Sequence, residues 1–209
     1  MSTPSHTFVR WFQELQAIGQ NGLTYSDNPF DIERFKRVRE IAAEMASHVS
    51  DTPVEKILSL FEAETNYATP KVDVRGIVFD DQQRILLIQE TADKRWAPPG
   101  GWVDVNEPPS EAITREIFEE SGFETKAVKL LALYDKQKHD HPIHWPHSYK
   151  MFFLCELTGG KPTTSIETLD VGFFHKNALP PLSTPRITEA QIFHFYEHFA
   201  HPEWPTDFD

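Results

Sequence analysis

The chain has 209 residues, of which 39% are hydrophobic and 25% charged, a composition typical of a globular protein and not of a disordered one. Its formal net charge of -12 argues against broad electrostatic binding to nucleic acid or to anionic membranes, because both attract Lys and Arg. The single cysteine, Cys155, excludes an intrachain disulfide, and we find neither a secretory signal nor an apolar run of the ~18 residues that a membrane span needs. We therefore expect a cytoplasmic protein with no membrane partner and no stable nucleic-acid complex.

Residues 1–68 are predicted to form a small all-helical N-terminal domain. Apolar residues recur at spacings of three and four along the first helix: Phe8, Trp11, Phe12, Leu15 and Ile18. Gly19 and Gly22 are expected to end that helix. A second helix is predicted from Asp31 to about Val49, and a third after Pro53, since proline suits the first turn of a helix.

Residues 69–209 are predicted to form the second domain, which begins with short apolar runs typical of strands. The runs at 72–79 and 85–88, separated by the turn sequence DDQQ, predict a hairpin that opens a sheet. A helix is expected over 109–121, strands over 128–135 and 149–157, and a last helix over 187–199. The acidic tail that follows is expected to be loose.

The segment from Gly101 to Phe123, GWVDVNEPPSEAITREIFEESGF, holds six carboxylates and one arginine. On a helix, Glu116, Glu119 and Glu120 stand at i, i+3 and i+4 and therefore share one face. Taken alone, such a face is most often simply exposed to water. Its alternative is a cation site, because clustered carboxylates are the hard oxygen ligands that Mg²⁺ or Mn²⁺ prefers.

Gly101, Glu107, Arg115-Glu116, Ile117, Glu119-Glu120, Gly122 and Phe123 follow the pattern G-x5-E-x7-R-E-U-x-E-E-x-G-U, where U is hydrophobic. This spacing is that of the Nudix box, and the chain resembles Nudix hydrolases on these residues. The resemblance implies an α/β fold, an α/β/α sandwich with a mixed sheet. It also implies Mg²⁺- or Mn²⁺-dependent hydrolysis of a small-molecule substrate, a nucleoside diphosphate linked to another moiety.

The resemblance also implies roles for individual residues. Glu116 and Glu120 would be the main metal ligands, with Glu119 and the backbone carbonyl of Gly100 as further ligands. Arg115 would orient Glu119, and Glu107 would brace the loop. The box does not fix the general base, for which Glu116 and Glu167 are both candidates.

The run RWAPPGGWVDVNEPP and the N-terminal segment GLTYSDNPFDIERF resemble a narrower group of bacterial Nudix hydrolases that carry a helical N-terminal domain. That group includes ADP-ribose and CDP-choline pyrophosphatases. The segments YDKQKHDHP and HSYKMFFLCEL are similar to the CDP-choline type and favour that substrate. In such a group the helical domain generally supports dimerisation, so a homodimer is expected.

Three residues outside the box are candidates for substrate binding: Arg75, Trp96 and His144. Arg75 could pair with a phosphate, or it could be an inward charge neutralised by Asp73 or Glu90. Trp96 could stack on a base or pack beneath the adjacent loop, and packing is the expected role of Trp102. His144 belongs to a loop with three other histidines, whose spacing matches no standard zinc pattern.

Two other functions remain open from the sequence. A nucleotide sensor could use the same scaffold without catalysis, although a binder has no evident need for clustered carboxylates. RNA-end processing would use the same phosphate chemistry on a polymer, but the low basicity argues against tight RNA binding.

Overall fold

The computed structural model describes residues 6–50, 52–142 and 145–209. The chain divides into two compact units, Met1–Pro70 and Lys71–Asp209, and the boundary predicted near residue 69 falls beside this division. Within the described ranges, no helix is both long and apolar enough to cross a membrane.

The first unit consists of three helices: α1 (His6–Tyr25), α2 (Pro29–Val49) and α3 (Val54–Ala63). The Asn28 side chain caps α2 by accepting the Phe30 N–H at 2.9 Å. The buried apolar residues of this unit come from all three helices: Val9, Phe12, Ala42, Ala43, Ala46, Ile57 and Phe61. Burial of this shared core stabilises the three helices, because most helical stability in proteins comes from the packing of an apolar face.

The prediction that Gly19 and Gly22 end the first helix was wrong, because α1 continues to Tyr25. Both glycines face α2. A Cβ on Gly22 would lie 2.3 Å from the Phe35 ring, and a Cβ on Gly19 would lie 3.1 Å from the Phe35 carbonyl oxygen. Glycine at these positions therefore permits close helix packing, which compensates for its low helix propensity.

The second unit contains two sheets. Its strands are β1 (Lys71–Val78), β2 (Ile85–Glu90), β3 (Trp96–Ala97), β4 (Phe123–Asp135), β5 (Ser148–Gly160), β6 (Thr168–Phe174) and β7 (Asp207–Phe208). The larger sheet has the order β1-β5-β4-β7 and is mixed, because β1 lies parallel to β5 whereas β4 is antiparallel to β5. The smaller sheet is antiparallel, in the order β3-β2-β6.

Two helices cover these sheets. Helix α4 (Pro109–Ser121) buries Ala112, Ile113 and Ile117 in one apolar core, and α5 (Glu189–Ala200) buries Ile192 and Phe195 in another. The predicted α/β/α arrangement with a mixed sheet is confirmed.

The predicted hairpin between the first two strands was wrong. The chain does turn after Asp80, but β1 and β2 enter different sheets and share only the isolated bridge between Phe79 and Ile85. The edge of β1 that a hairpin would use is occupied by the loop 99–103. The carbonyls of Pro99 and Gly101 accept hydrogen bonds from the Gly76 and Val74 N–H groups at 2.9 and 2.8 Å. This pairing fixes the loop that precedes α4.

The C-terminal tail is not loose as predicted, because β7 pairs with β4. The Lys129 ammonium donates to the carbonyls of Pro202 and Trp204 at 2.9 and 2.6 Å. Terminal segments are ordered when an edge strand holds them in this way.

Candidate active site

The loop before α4 approaches β1 so closely that only glycine fits at position 100. Gly100 has a φ of 145°, a conformation that residues with a side chain rarely adopt, and a Cβ there would lie 2.0 Å from the Val74 carbonyl oxygen. Within the described residues, the Gly100 carbonyl accepts no protein hydrogen bond. It is therefore available to a ligand.

Helix α4 positions the carboxylates. Its apolar side packs onto β1 at Gly76, where a Cβ would lie 2.5 Å from Ile117 Cδ1. The helix ends at Gly122, which has a φ of 74° and donates its N–H to the Phe118 carbonyl at 2.8 Å. With Ile117 facing the core, the neighbouring Glu116 and Glu120 lie toward the loop, and Glu119 faces solvent.

Arg115 is the hub of an outer cluster of four residues: Glu107, Arg115, Glu116 and Glu119. Its guanidinium holds both Glu107 oxygens at 2.8 Å and reaches Glu116 and Glu119 at 3.0 and 2.9 Å. These hydrogen bonds, with Glu107 the largest cause, raise the pKa of Arg115. Arg115 thus contacts Glu119, as the resemblance implied, and also ties Glu107 to the helix.

Glu116 and Glu120 flank the two loop glycines. The Glu120 carboxylate is buried and accepts the Gly100 N–H at 2.7 Å, while a Cβ on Gly101 would lie 3.0 Å from a Glu116 oxygen. Burial raises the pKa of Glu116, and it raises that of Glu120 to about 8, because an ionised carboxylate is costly away from water. Two adjacent carboxylates, one buried and one half-buried, suit a cation.

Arg75 belongs to a second, inner cluster: Asp73, Arg75, Glu90, Lys150 and Arg186. The Arg75 guanidinium donates two hydrogen bonds of 3.1 Å to Asp73, and the Lys150 ammonium donates to the same carboxylate at 2.7 Å. Lys150 is only 1% exposed at its side chain. The inward-charge interpretation of Arg75 is therefore the one that its contacts support.

The charged side chains of the inner cluster shift one another's pKa. Burial alone would raise the pKa of Asp73, but Arg75 and Lys150 lower it well below its usual range. Burial lowers the pKa of Lys150 to about 8 despite its carboxylate partner. Arg186 pairs with Glu90 at 2.6 Å, and Glu90 lies 3.8 Å from Arg75. Arg75 also interacts electrostatically with Glu120, which links the inner cluster to the box.

Sequence reasoning missed Lys150 and Arg186. Lys150 could have been noticed in the sequence SYKMFFLC, where a lysine interrupts an apolar strand. Arg186 gives no such signal, because its loop is irregular and its partner Glu90 lies far away in the chain.

The other predicted residues have different surroundings. Glu167 is exposed, and it precedes Thr168, whose hydroxyl donates to the Glu120 carbonyl at 3.0 Å. Trp96 packs on Phe174 with ring centroids 4.7 Å apart, whereas Trp102 is 48% exposed. Trp96 is therefore the tryptophan that packs. Trp102, which was expected to pack, is half exposed. His144 lies outside the described residues.

The remaining loop histidines have separate partners. His141 is buried between the Thr184 carbonyl at 2.8 Å and the Gln191 amide at 3.2 Å, and burial lowers its pKa to about 4. His147 pairs with Asp135 at 2.9 Å and His139 lies 3.3 Å from Asp209. In the part of the chain that the structure describes, no three His, Cys, Asp or Glu side chains form a ready-made metal cage.

Comparisons with known proteins agree with this geometry. Residues 69–198 match the family description "NUDIX domain", and residues 6–61 match "UDP-X-like, N-terminal oligomerisation domain". The "Putative ADP-ribose pyrophosphatase YjhB" of Bacillus subtilis (strain 168) is 41% identical over 94% of each chain.

Two solved structures are also similar. An ADP-ribose pyrophosphatase from Streptococcus suis 89-1591 is 37% identical with a TM-score of 0.62, and the match covers 68% of this chain and all of that one. A UDP-X diphosphatase is 33% identical with a TM-score of 0.63, over 97% of this chain and 98% of that one. The family match covers more than half of the chain, and the Bacillus subtilis relative covers nearly all of it, so the chain belongs to the Nudix hydrolase family.

Proposed function

We propose that this enzyme hydrolyses the pyrophosphate of ADP-ribose with the help of Mg²⁺ or Mn²⁺. Water would add across the P–O–P bridge and release AMP and a phosphorylated ribose. The observation that carries the proposal is the pair of carboxylates, half-buried Glu116 and buried Glu120, which flank Gly100 and Gly101. ADP-ribose is chosen because relatives that cover the chain well carry that activity in their names.

The donor set fits a divalent cation. Glu116, Glu120, Glu119 and the free Gly100 carbonyl would hold it, and water and substrate phosphate would complete the coordination that Mg²⁺ prefers. A bound cation would neutralise the pyrophosphate and make nearby water more acidic. Arg115 would keep Glu116 and Glu119 in place, because it holds both through hydrogen bonds.

Glu167 is the general base that the contacts favour over Glu116. The Glu116 carboxylate is tied to Arg115 at 3.0 Å, and a cation beside it would further weaken it as a proton acceptor. Glu167 is exposed and, among the described residues, its carboxylate forms no ion pair. The hydroxyl of its neighbour Thr168 donates to the Glu120 carbonyl, and this contact supports the proposal by bringing the segment that carries Glu167 to the C-terminal end of α4.

The helical unit is proposed to form a homodimer. This proposal is supported by the family description of residues 6–61 as an oligomerisation domain. It is also supported by exposed apolar residues on α1, where Trp11 is 52% and Ile18 is 47% exposed, seven residues apart on one face. The mass in solution, measured by light scattering for the wild type and for Trp11→Glu, tests this role.

Purified protein offered ADP-ribose, CDP-choline and a UDP-sugar, each with Mg²⁺, with Mn²⁺ and with EDTA, tests the function. We expect metal-dependent release of AMP from ADP-ribose at the highest kcat/KM. Preference for CDP-choline would restore the substrate that the sequence segments favoured. Full turnover in EDTA would exclude the proposed cation.

A further inference from the structure

Lys136 is the one cation near the inner cluster for which the described residues provide no hydrogen bond or ion pair. It is the first residue of the short 3-10 helix Lys136–Lys138, directly after β4. Asp135 is in register with Tyr149, and Lys150 is in register with Asp73, so the sheet brings Lys136 to the inner cluster. Its side chain is half-buried.

The side chains around Lys136 do not neutralise the charge of its ammonium. Arg75 and Arg186 repel its ammonium, and Asp73, which attracts it, already pairs with Arg75 and Lys150. The carboxylates of Asp73, Glu90 and Asp93 are engaged in ion pairs with Arg75, Lys150 and Arg186, and among the described residues none of these pairs includes Lys136. Burial, the largest cause, lowers the pKa of Lys136, as expected for an ammonium without a partner.

A half-buried ammonium left over in this way is costly unless an anion completes it. In the substrate class of the proposed function, the anionic groups are the two phosphates of the pyrophosphate. Lysine binds a phosphate oxygen as a point charge, whereas the neighbouring arginines are already engaged with carboxylates.

We propose that Lys136 binds a phosphate oxygen of the substrate and thereby sets the affinity for the diphosphate. The inference rests on the proposed function for the identity of the ligand. The residue lies outside the box and contributes binding rather than proton transfer.

The test compares Lys136→Gln with Lys138→Gln, which makes the same change of charge at an exposed lysine two residues away. We expect the KM for ADP-ribose to rise about tenfold in Lys136→Gln, the loss of about 1.4 kcal/mol of binding, with kcat within about twofold of the wild type. Lys136→Arg should recover much of the affinity. Raising the salt concentration should increase KM less in Lys136→Gln than in wild type, because one charged contact is missing.

A second experiment tests the same contact without turnover. Calorimetry in the presence of Mg²⁺ measures the equilibrium binding of the methylene-bridged, non-hydrolysable analogue of ADP-ribose. Weaker binding by Lys136→Gln alone supports the proposal. Equal KM and equal binding in Lys136→Gln and Lys138→Gln would overturn it while leaving the hydrolase function intact. If the wild type neither cleaves ADP-ribose nor binds the analogue, the proposed function fails and this inference fails with it. Thermal melting of each variant identifies any loss of folding.

Discussion

The outer cluster around Arg115 and the inner cluster around Arg75 use the same residue types in different surroundings. The side chains of Arg115 and Glu119 are 31% and 56% exposed, whereas those of Arg75 and Asp73 are 6% and 10% exposed. Exposed ion pairs contribute little to stability, because water screens the charges, but a buried charge that loses its partner is costly. Substitutions in the inner cluster should therefore reduce the stability of the fold, whereas substitutions in the outer cluster should reduce catalysis.

The largest effect on stability is expected at Asp73. Asp73→Asn leaves two buried cations, Arg75 and Lys150, without their shared carboxylate, and should lower the free energy of unfolding by roughly 3–5 kcal/mol. Lys150→Met should cost clearly less, because Asp73 keeps Arg75 as a partner. Urea unfolding of both variants measures the difference, and equal losses would show that the pairing does not control the cost.

Glu120 should show the largest catalytic effect without a loss of folding stability. Glu120→Gln keeps an acceptor for the Gly100 N–H but removes the charge proposed to hold the cation. We expect kcat to fall roughly a hundredfold to a thousandfold, about 3–4 kcal/mol in the transition state. In EDTA the variant should melt at the same temperature or higher, because a buried carboxylate that is costly to ionise has been removed. Normal kcat with normal metal dependence would remove Glu120 from the site.

The sequence indicated the outer cluster and, of the inner cluster, the pairing of Arg75 with Asp73 or Glu90, but it did not indicate Lys150 and Arg186. The reason is physical. Glu116, Glu119 and Arg115 are close because helical pitch brings residues three or four apart together. Lys150 and Asp73 meet only because β5 lies parallel to β1, and the sequence predicted β1 to pair with β2 instead. The hairpin prediction failed because the loop that carries the box takes the free edge of β1.

Prediction from local helix propensity failed for a similar reason in the helical unit. Gly22 lowers helix propensity, but α1 continues through it because the Phe35 side chain of α2 occupies the space that a Cβ would need. Propensity is a local quantity, and packing against a second helix outweighed it. The same limit applies to Trp96, whose packing against Phe174 depends on β6.

Burial of a histidine should also make the stability of the protein depend on pH. The pKa of His141 is about 4 in the folded protein, below its ordinary value of 6.5, so the unfolded chain binds more protons between these pH values. Stability should therefore rise with pH from 4 to 6.5 and be lost as pH falls through that window, by about 1–3 kcal/mol. His141→Gln should flatten this part of the profile. The control His147→Gln, at a half-exposed site, should retain it, and a profile unchanged by His141→Gln would contradict the assignment.

The smallest effect on stability is expected at Glu119, in the outer cluster. Its carboxylate is 56% exposed and meets Arg115 at 2.9 Å, so Glu119→Gln should change the free energy of unfolding by less than about 1 kcal/mol. Arg115 keeps its two hydrogen bonds to Glu107, which hold the guanidinium in place. Turnover should still fall, by about tenfold, if Glu119 is a further ligand of the cation, and the metal concentration that gives half-maximal activity should rise. Unchanged turnover and metal dependence with unchanged stability would leave Glu119 a solvent-exposed partner of Arg115, and the cation would then depend on Glu116, Glu120 and the Gly100 carbonyl alone.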